Sequence, residues 1–235
     1  MNDFRPRRFQ AIPPVIKNLI IANVLIYIAQ QTFANSASFS IENLFALHSV
    51  QSVYFRPHQL VTYMFLHGGL GHIFFNMFAL WMFGSTLENY WGSKRFLIFY
   101  MVCGIGAGLF HLFVLWREMA PIVESLRQAP ILEQEQWLYN PSNPINGATL
   151  GASGAVFGCL AAFGYLFPNT PMIILPIPIP IKAKWLVLLY AGMELYLGIQ
   201  NSAGDNVAHW AHLGGAVVGI LLVLYWKRYD RRNFY

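Results

Sequence analysis

The stretch ATLGASGAVFGCLAAFGYLF, residues 148–167, is the most informative segment of the chain, because a serine set among glycines opens a run that contains no charged side chain. A helix needs roughly 20 mostly apolar residues to cross the hydrocarbon core of a bilayer. The stretch therefore predicts a membrane-spanning helix over about 150–167. Ser153, flanked by Gly151 and Gly154, then lies just inside the start of that helix.

The composition of the whole chain indicates a membrane protein. Hydrophobic residues make up 56% of the 235 residues and charged residues 11%, whereas soluble domains carry about 25% charged residues. No series of alternating ten-residue segments indicates a transmembrane barrel. We predict an all-α bundle of six transmembrane helices that forms one domain over residues 1–235. The five further spans cover about 17–34, 68–90, 95–116, 184–200 and 207–226.

The distribution of Lys and Arg predicts the orientation. If both termini are cytoplasmic, twelve of the fifteen lie in inner segments and only Arg56, Arg117 and Arg127 in outer ones, which agrees with the positive-inside rule. The net charge of +5 is then explained by the topology and by anionic lipid of the inner leaflet, so no nucleic-acid partner is predicted. The short basic termini and the lack of a targeting peptide favour a bacterial inner membrane.

Polar residues from three spans share one predicted depth. The second, fourth and sixth spans all run from outside to inside, and His72, Ser153 and His212 lie three to six residues inside their outer ends. At 1.5 Å rise per residue, this depth is roughly 5–10 Å below the outer edge. Asn76 lies one turn deeper than His72 on the same helix face. Intramembrane polar residues are costly, so such a layer predicts a functional site.

A serine beside a histidine at this depth suggests nucleophilic catalysis. A serine hydroxyl becomes an effective nucleophile when an imidazole within hydrogen-bonding reach takes its proton. Acyl transfer also needs donors for the developing oxyanion, and an Asn amide, a His N–H or a backbone N–H can serve.

Glycines at helical spacing explain how the two groups could meet. Gly151 and Gly154 would let another chain approach the serine closely. Gly215 and Gly219 stand four residues apart, one turn beyond the histidine of the sixth span. Small residues at this spacing let two membrane helices pack backbone to backbone. Contact between the fourth and sixth spans would therefore bring the serine and the histidine together.

Three motifs in this order resemble those of the rhomboid intramembrane serine proteases. They are HGGLGHIFFN at 67–76, GASG at 151–154 and AHLGG at 211–215, each at the outer end of a span that runs inward. The resemblance extends over about residues 17–226 and implies the rhomboid type of six-helix bundle.

The resemblance also implies roles for individual residues. Ser153 would be the nucleophile and His212 the general base, while His72 and Asn76 would line the oxyanion hole with the backbone N–H of the serine. The remaining motif positions would be structural: Gly151, Gly154, Gly215, Gly219, His67 and, in GSTLENYWGS at 84–93, Glu88 with Gly92.

The sequence departs from the family pattern at two places. Phe157 occupies a position where some members carry a tyrosine packed under the catalytic histidine, so stacking would survive without a hydroxyl. A Trp–Arg pair that usually anchors the first outer loop is absent from residues 55–59. These differences concern the support of the site and the loop, and they leave the dyad intact.

The activity implied is that of an intramembrane serine endopeptidase, which cleaves single-pass transmembrane proteins in the lipid bilayer near its outer face and needs no cofactor. One alternative is an inactive rhomboid relative that binds clients. Another is a channel or transporter, although no inverted repeat is visible.

A metal site is the last alternative, because His67 with His72, and His209 with His212, could form ligand pairs. Against it, the sequence has no HExxH motif and no carboxylate close to these histidines. His209 is interpreted as a loop or rim residue, and Glu194, near the outer end of the fifth span, as a hydrogen-bonding group.

Overall fold

A computed structural model describes residues 9–34, 40–140, 142–174, 177–200 and 207–229 of the chain. The chain ends, on which the cytoplasmic placement of both termini depends, lie outside these residues. The cytoplasmic termini and the count of six spans therefore remain predictions.

The described residues form a bundle of α-helices. The helices are α1 (Pro14–Phe33), α2 (Ile41–Phe45), α3 (Gln59–Thr62), α4 (Leu70–Ala79), α5 (Ser85–Trp91), α6 (Ser93–Arg127), α7 (Ile131–Leu138), α8 (Ser153–Leu166), α9 (Ala183–Gln200) and α10 (His209–Tyr229). A π-helical turn, Leu80–Gly84, joins α4 to α5, and short 3₁₀ turns cover Tyr63–Phe65 and Pro144–Asn146. A helix thus occupies each of the six predicted spans, and the all-α fold class is confirmed.

Four helical segments among the described residues are long and apolar enough to cross a membrane: Pro14–Phe33, Leu70–Trp91, Ser93–Arg127 and His209–Tyr229. The second of these combines α4, the π-helical turn and α5. The fourth predicted span is a shorter apolar helix, α8, with 14 residues. At 1.5 Å per residue it is about 21 Å long, less than the hydrocarbon core of about 30 Å. Because α8 cannot reach both membrane surfaces, its length is compatible with a serine that starts the helix below the outer surface.

Short strands join the loops. Strand β1 (Leu47–His48), between α2 and α3, pairs antiparallel with β2 (Ala148–Thr149), which lies just before α8. A hairpin of β3 (Pro171–Ile174) and β4 (Ile177–Lys182) lies between α8 and α9. Proline has no backbone N–H to donate, and the alternate prolines of β4 fit an edge strand.

The centre of the bundle is the contact between α8 and α10. A Cβ atom placed on Gly219 would lie 2.8 Å from the carbonyl oxygen of Gly158, and one placed on Gly215 would overlap the carbonyl oxygen of Gly154. On the other side of α8, a Cβ on Gly154 would lie 2.6 Å from the Cβ of Ala107 on α6. Helix α8 is therefore held between two helices at distances that only glycine permits.

Glu88, on α5, holds the start of helix α1 in place. The backbone N–H groups of Val15 and Ile16 donate to its two carboxylate oxygens at 3.0 and 2.9 Å, and the hydroxyl of Ser93 donates to it at 2.6 Å. Helix α1 begins after Pro13, which provides no side-chain cap, so the carboxylate accepts from N–H groups that have no intrahelical partner. Its negative charge also lies at the positive end of the helix dipole.

We expect Glu88→Gln to lower the free energy of unfolding by about 1.5–3 kcal/mol, because the amide presents a donor to an N–H group and removes a charged acceptor. Unfolding in mixed detergent micelles would measure the change. Glu135→Gln, an exposed position beyond the first turn of α7, is the matched control and should leave stability unaltered. Equal stabilities of the two variants would contradict the assigned role of Glu88.

Candidate active site

Ser153 is the first residue of α8, and the backbone before it is shaped by glycine. Gly151 has φ +132°, a conformation that L-residues with side chains rarely adopt, and its N–H donates to the carbonyl of Tyr63 at 2.9 Å. Ala152, at the N-cap, has no side chain that could cap the helix. The N–H groups of the first turn, including that of Ser153, therefore have no intrahelical acceptor.

His212 of α10 lies directly beside the serine. The hydroxyl oxygen of Ser153 is 2.7 Å from Nε2 of His212. Phe157, one turn along α8, stacks on the imidazole with ring centroids 4.3 Å apart and planes 5° from parallel. The histidine is 8% exposed. The stacking suggested by the sequence is thus present, and it fixes the plane of the imidazole.

The far side of the same imidazole contacts a carboxylate. Oε2 of Glu194, on α9, lies 2.9 Å from Nδ1 of His212 and 2.6 Å from Nδ1 of His209. A carboxylate oxygen accepts, so each Nδ1 carries a hydrogen. In the neutral form, Nε2 of His212 is then unprotonated and accepts the hydrogen bond from the serine hydroxyl.

His72 stands across a small space from the serine. The N–H of Gly68 donates to Nδ1 of His72 at 3.2 Å, so Nε2 carries the hydrogen and is free to donate. A Cβ atom on Gly151 would lie 2.9 Å from this Nε2 and 3.5 Å from the hydroxyl oxygen of Ser153. The glycine therefore leaves room between an N–H donor and the hydroxyl.

Asn76 lies one turn further along α4 and is 6% exposed. Its Nδ2 donates to the carbonyl of His72 at 2.9 Å, which uses one of its two amide hydrogens. Within the described residues, the structure records no hydrogen bond between Asn76 and Ser153 or His212. Asn76 is thus oriented by its own helix, and one N–H remains available.

His67 is held mainly through its backbone. Gln30 of α1 accepts from the N–H of His67 at 2.9 Å and donates to its carbonyl at 3.4 Å. The ring of His67 meets that of His72 edge to face, with centroids 5.1 Å apart. Sequence reasoning missed Gln30, although a buried polar residue in an apolar helix was a visible signal.

Two interpretations of the sequence were wrong. His209 is neither a loop nor a rim residue: it is the first residue of α10 and is 7% exposed. A carboxylate does lie close to the histidines, because α9 brings Glu194 back onto α10. The glutamate is 15 and 18 positions away along the chain from the two rings, a separation that hides the contact in the sequence.

The donor atoms of Glu194, His209 and His212 lie within 4.8 Å of one another, close enough to hold a metal ion. Around a tetrahedral zinc ion, however, ligand atoms stand roughly 3.3 Å apart, given bonds of about 2.0–2.1 Å. The observed O–N distances of 2.6 and 2.9 Å are shorter and match hydrogen bonds. The cluster as it stands is a carboxylate shared by two imidazoles.

The first outer loop is anchored without a Trp–Arg pair. The fully buried Gln59 donates to the carbonyl of Tyr54 at 2.8 Å and accepts from the N–H of Arg56 at 3.1 Å. Burial lowers the pKa of His48, so its ring is neutral near pH 7, and Nδ1 donates to the carbonyl of Asn146 at 3.1 Å. The loop that contains His48 and the loop that leads to α8 are thus fastened to each other.

A second contact holds the segment that leads into α8. Nε2 of His111, on α6, lies 2.9 Å from the hydroxyl oxygen of Thr149, two residues before Gly151. Sequence reasoning missed this pair as well, because a single histidine within an apolar span gives no hint of its partner.

Comparison with known proteins identifies the family. The rhomboid domain model matches residues 54–229. Rhomboid protein 1, mitochondrial, of Saccharomyces cerevisiae is 32% identical over 163 residues, which cover 67% of this chain and 38% of that protein. RHOMBOID-like protein 12, mitochondrial, of Arabidopsis thaliana is 27% identical over 221 residues, or 94% and 60% of the two chains.

A bacterial relative is named as a protease. Rhomboid protease AarA of Providencia stuartii is 27% identical over 210 residues, which cover 87% of this chain and 69% of that protein. This chain spans less than two thirds of the length of the two mitochondrial relatives. Because the family match takes in the whole region from the first outer loop to α10, the chain belongs to the rhomboid family, and it is an integral membrane protein.

Proposed function

We propose that this chain is an intramembrane serine endopeptidase in which Ser153 and His212 form the catalytic dyad. The observation that carries the proposal is the 2.7 Å hydrogen bond from the serine hydroxyl to Nε2 of the histidine within a membrane bundle of the rhomboid family. Relatives named as proteases, among them AarA and GluP of Bacillus subtilis, support the reaction class.

The chemistry follows from the geometry. Ser153 Oγ attacks the carbonyl carbon of the scissile peptide bond while Nε2 of His212 takes its proton. The resulting imidazolium then gives this proton to the leaving amine, and the bond between carbon and nitrogen breaks. Water, deprotonated by the same imidazole, hydrolyses the acyl-enzyme and restores the serine.

The oxyanion formed in each step needs hydrogen-bond donors. We assign this role to the N–H of Ser153, to Nε2–H of His72 and to the free amide hydrogen of Asn76. The space beside Gly151, bordered by His72 and the serine hydroxyl, is where the carbonyl oxygen would lie. A water-poor site strengthens such interactions because the effective dielectric constant is low.

The substrates we propose are single-pass transmembrane proteins. A site at the start of a short helix, beneath the outer loops, meets a substrate segment near the outer face and still admits water. Small substrate residues at the cleaved bond fit a site framed by Gly151 and Gly154. We also place the protein in a bacterial inner membrane; relatives from a mitochondrion, a chloroplast and a bacterium are known by name, so fractionation of the native host is the test.

A fluorophosphonate probe tests the proposed activity directly. Purified protein in lipid vesicles should become labelled, and mass spectrometry of the peptides should place the label on Ser153. A model single-pass substrate in the same vesicles should be cleaved near its outer end. Folded protein that neither labels nor cleaves would favour the client-binding alternative and overturn the proposal.

We expect Asn76→Ala to reduce kcat by about 10²–10³-fold, the usual effect of removing one oxyanion donor. KM should change little, because the interaction forms only in the transition state. Asn23→Ala is a suitable control, since this buried amide likewise donates to the carbonyl four residues earlier, at 2.7 Å, but lies on α1, which carries none of the proposed catalytic residues. An unchanged kcat in Asn76→Ala would remove Asn76 from the oxyanion hole.

A further inference from the structure

The shared carboxylate of Glu194 has a function that a dyad does not require. It lies on α9, and one of its oxygens accepts from Nδ1 of both His209 and His212. The residue is 7% exposed. A buried carboxylate is costly unless it is hydrogen-bonded, and in a membrane helix it marks a functional position by default.

The two hydrogen bonds that Glu194 accepts have partners with different roles. The bond to His209, at 2.6 Å, joins α9 to the first residue of α10, and by itself it would give the carboxylate a partner. The second bond, at 2.9 Å, reaches the one imidazole whose other nitrogen accepts from Ser153. The carboxylate therefore acts on the nitrogen opposite the reacting hydroxyl.

This position decides which nitrogen of His212 carries the hydrogen. A neutral imidazole with no acceptor at Nδ1 can place its hydrogen on Nε2, and it then cannot accept the serine proton. The oxygen of Glu194 stabilises the form with the hydrogen on Nδ1. It also stabilises the imidazolium that forms when the serine attacks, as the acid of a hydrolase triad does.

Other contacts of the histidine do not supply this effect. Phe157 covers one face of the ring without a polar atom, and Ser153 occupies Nε2. Among the described residues, Glu194 is the carboxylate hydrogen-bonded to His212. His209 donates to the same oxygen at 2.6 Å, so two imidazoles fix the position of the carboxylate.

We propose that Glu194 is a positioning residue that converts the dyad of Ser153 and His212 into a Ser–His–Glu triad, with His209 holding the carboxylate in place. The inference rests on the proposed peptidase activity. It assigns the fifth predicted span a direct part in ordering the active site.

The test compares Glu194→Gln with Glu194→Asp in vesicles that contain the model substrate. The amide should lower kcat by about 10²–10⁴-fold, the order seen when the acid of a triad becomes an amide, with KM within about threefold of wild type. Glu194→Asp, which keeps the carboxylate, should retain clearly more activity than Glu194→Gln. Glu135→Gln, an exposed position on α7, is the control for loss of one carboxylate and should behave as wild type.

A second measurement separates positioning from structural support. Nitrogen-15 NMR of labelled histidine, with His212 assigned by difference from His212→Asn, should show a protonated Nδ1 in wild type. In Glu194→Gln the form with the hydrogen on Nε2 should appear. Near-normal kcat in Glu194→Gln would overturn the inference, as would equal losses of activity and thermal stability in both Glu194 variants with an unchanged His212 spectrum.

Failure of this inference is distinguishable from failure of the proposed function. If wild type cleaves and Glu194→Gln cleaves equally well, the triad is wrong and the dyad stands. If folded wild type neither labels nor cleaves, the peptidase proposal itself is wrong, and the triad falls with it.

Discussion

Replacing Ser153 by alanine is expected to abolish both probe labelling and cleavage of a transmembrane substrate while the bundle remains folded. The substitution removes one oxygen atom from the first position of α8, and alanine is the best helix former. The hydrogen bond to His212 is lost, but no backbone contact changes. We expect kcat to fall roughly 10⁶-fold, to the level that remains when a catalytic serine is removed from a hydrolase.

His212→Ala should have an effect of similar size, because the hydroxyl then has no base. The two changes should not add: Ser153→Ala/His212→Ala should be no less active than either single variant, since both remove the same step. Ser125→Ala, at an exposed serine on α6, controls for loss of a hydroxyl. Robust hydrolysis by purified Ser153→Ala protein would disprove the mechanism.

Gly215→Ala is expected to lower stability more than any other substitution considered, through the contact between α8 and α10. The added methyl group would overlap the carbonyl oxygen of Gly154, which is backbone and cannot rotate away. The helices must move apart, and overpacking of this kind costs about 3 kcal/mol or more. Since the same two helices carry Ser153 and His212, kcat/KM should also fall by about 10²-fold, the cost of a misplacement of about 1 Å.

A second glycine provides a control, because its replacement by alanine should not lower stability. A Cβ atom on Gly192 of α9 meets nothing within 4 Å, and alanine is favoured over glycine within a helix by up to about 1 kcal/mol. Gly192→Ala should therefore leave stability unchanged or raise it, as measured by unfolding in mixed micelles. If Gly215→Ala and Gly192→Ala were equally stable, close packing at Gly215 would not hold the two helices together.

Local properties of the chain account for what could be predicted from sequence. The length of an apolar run fixes where a helix can cross a membrane, so the positions of the main helices were predictable. Gly215 and Gly219 were visible as small residues at helical spacing. The serine and histidine stood out because polar side chains are rare in such helices.

Apart from the contact of Ser153 with His212, hydrogen bonds between distant segments could not be predicted. His209 was interpreted as a rim residue because the residue with which it pairs, Glu194, lies on a different helix. The loop anchor Gln59 and the pair of His111 with Thr149 depend on how loops fold over the bundle, and no periodicity in the sequence encodes that.

Apolar length, residue type and the order of the motifs were enough to identify a helical membrane protein of the rhomboid type and the two candidate side chains of the dyad. The stacking of Phe157 on the imidazole was also expected, whereas the contact of Nδ1 with Glu194 became visible only in the folded bundle. Apolar length and residue type are properties of a single segment. A hydrogen bond requires two atoms within about 3 Å, and only packing of the helices can bring atoms from α8, α9 and α10 that close.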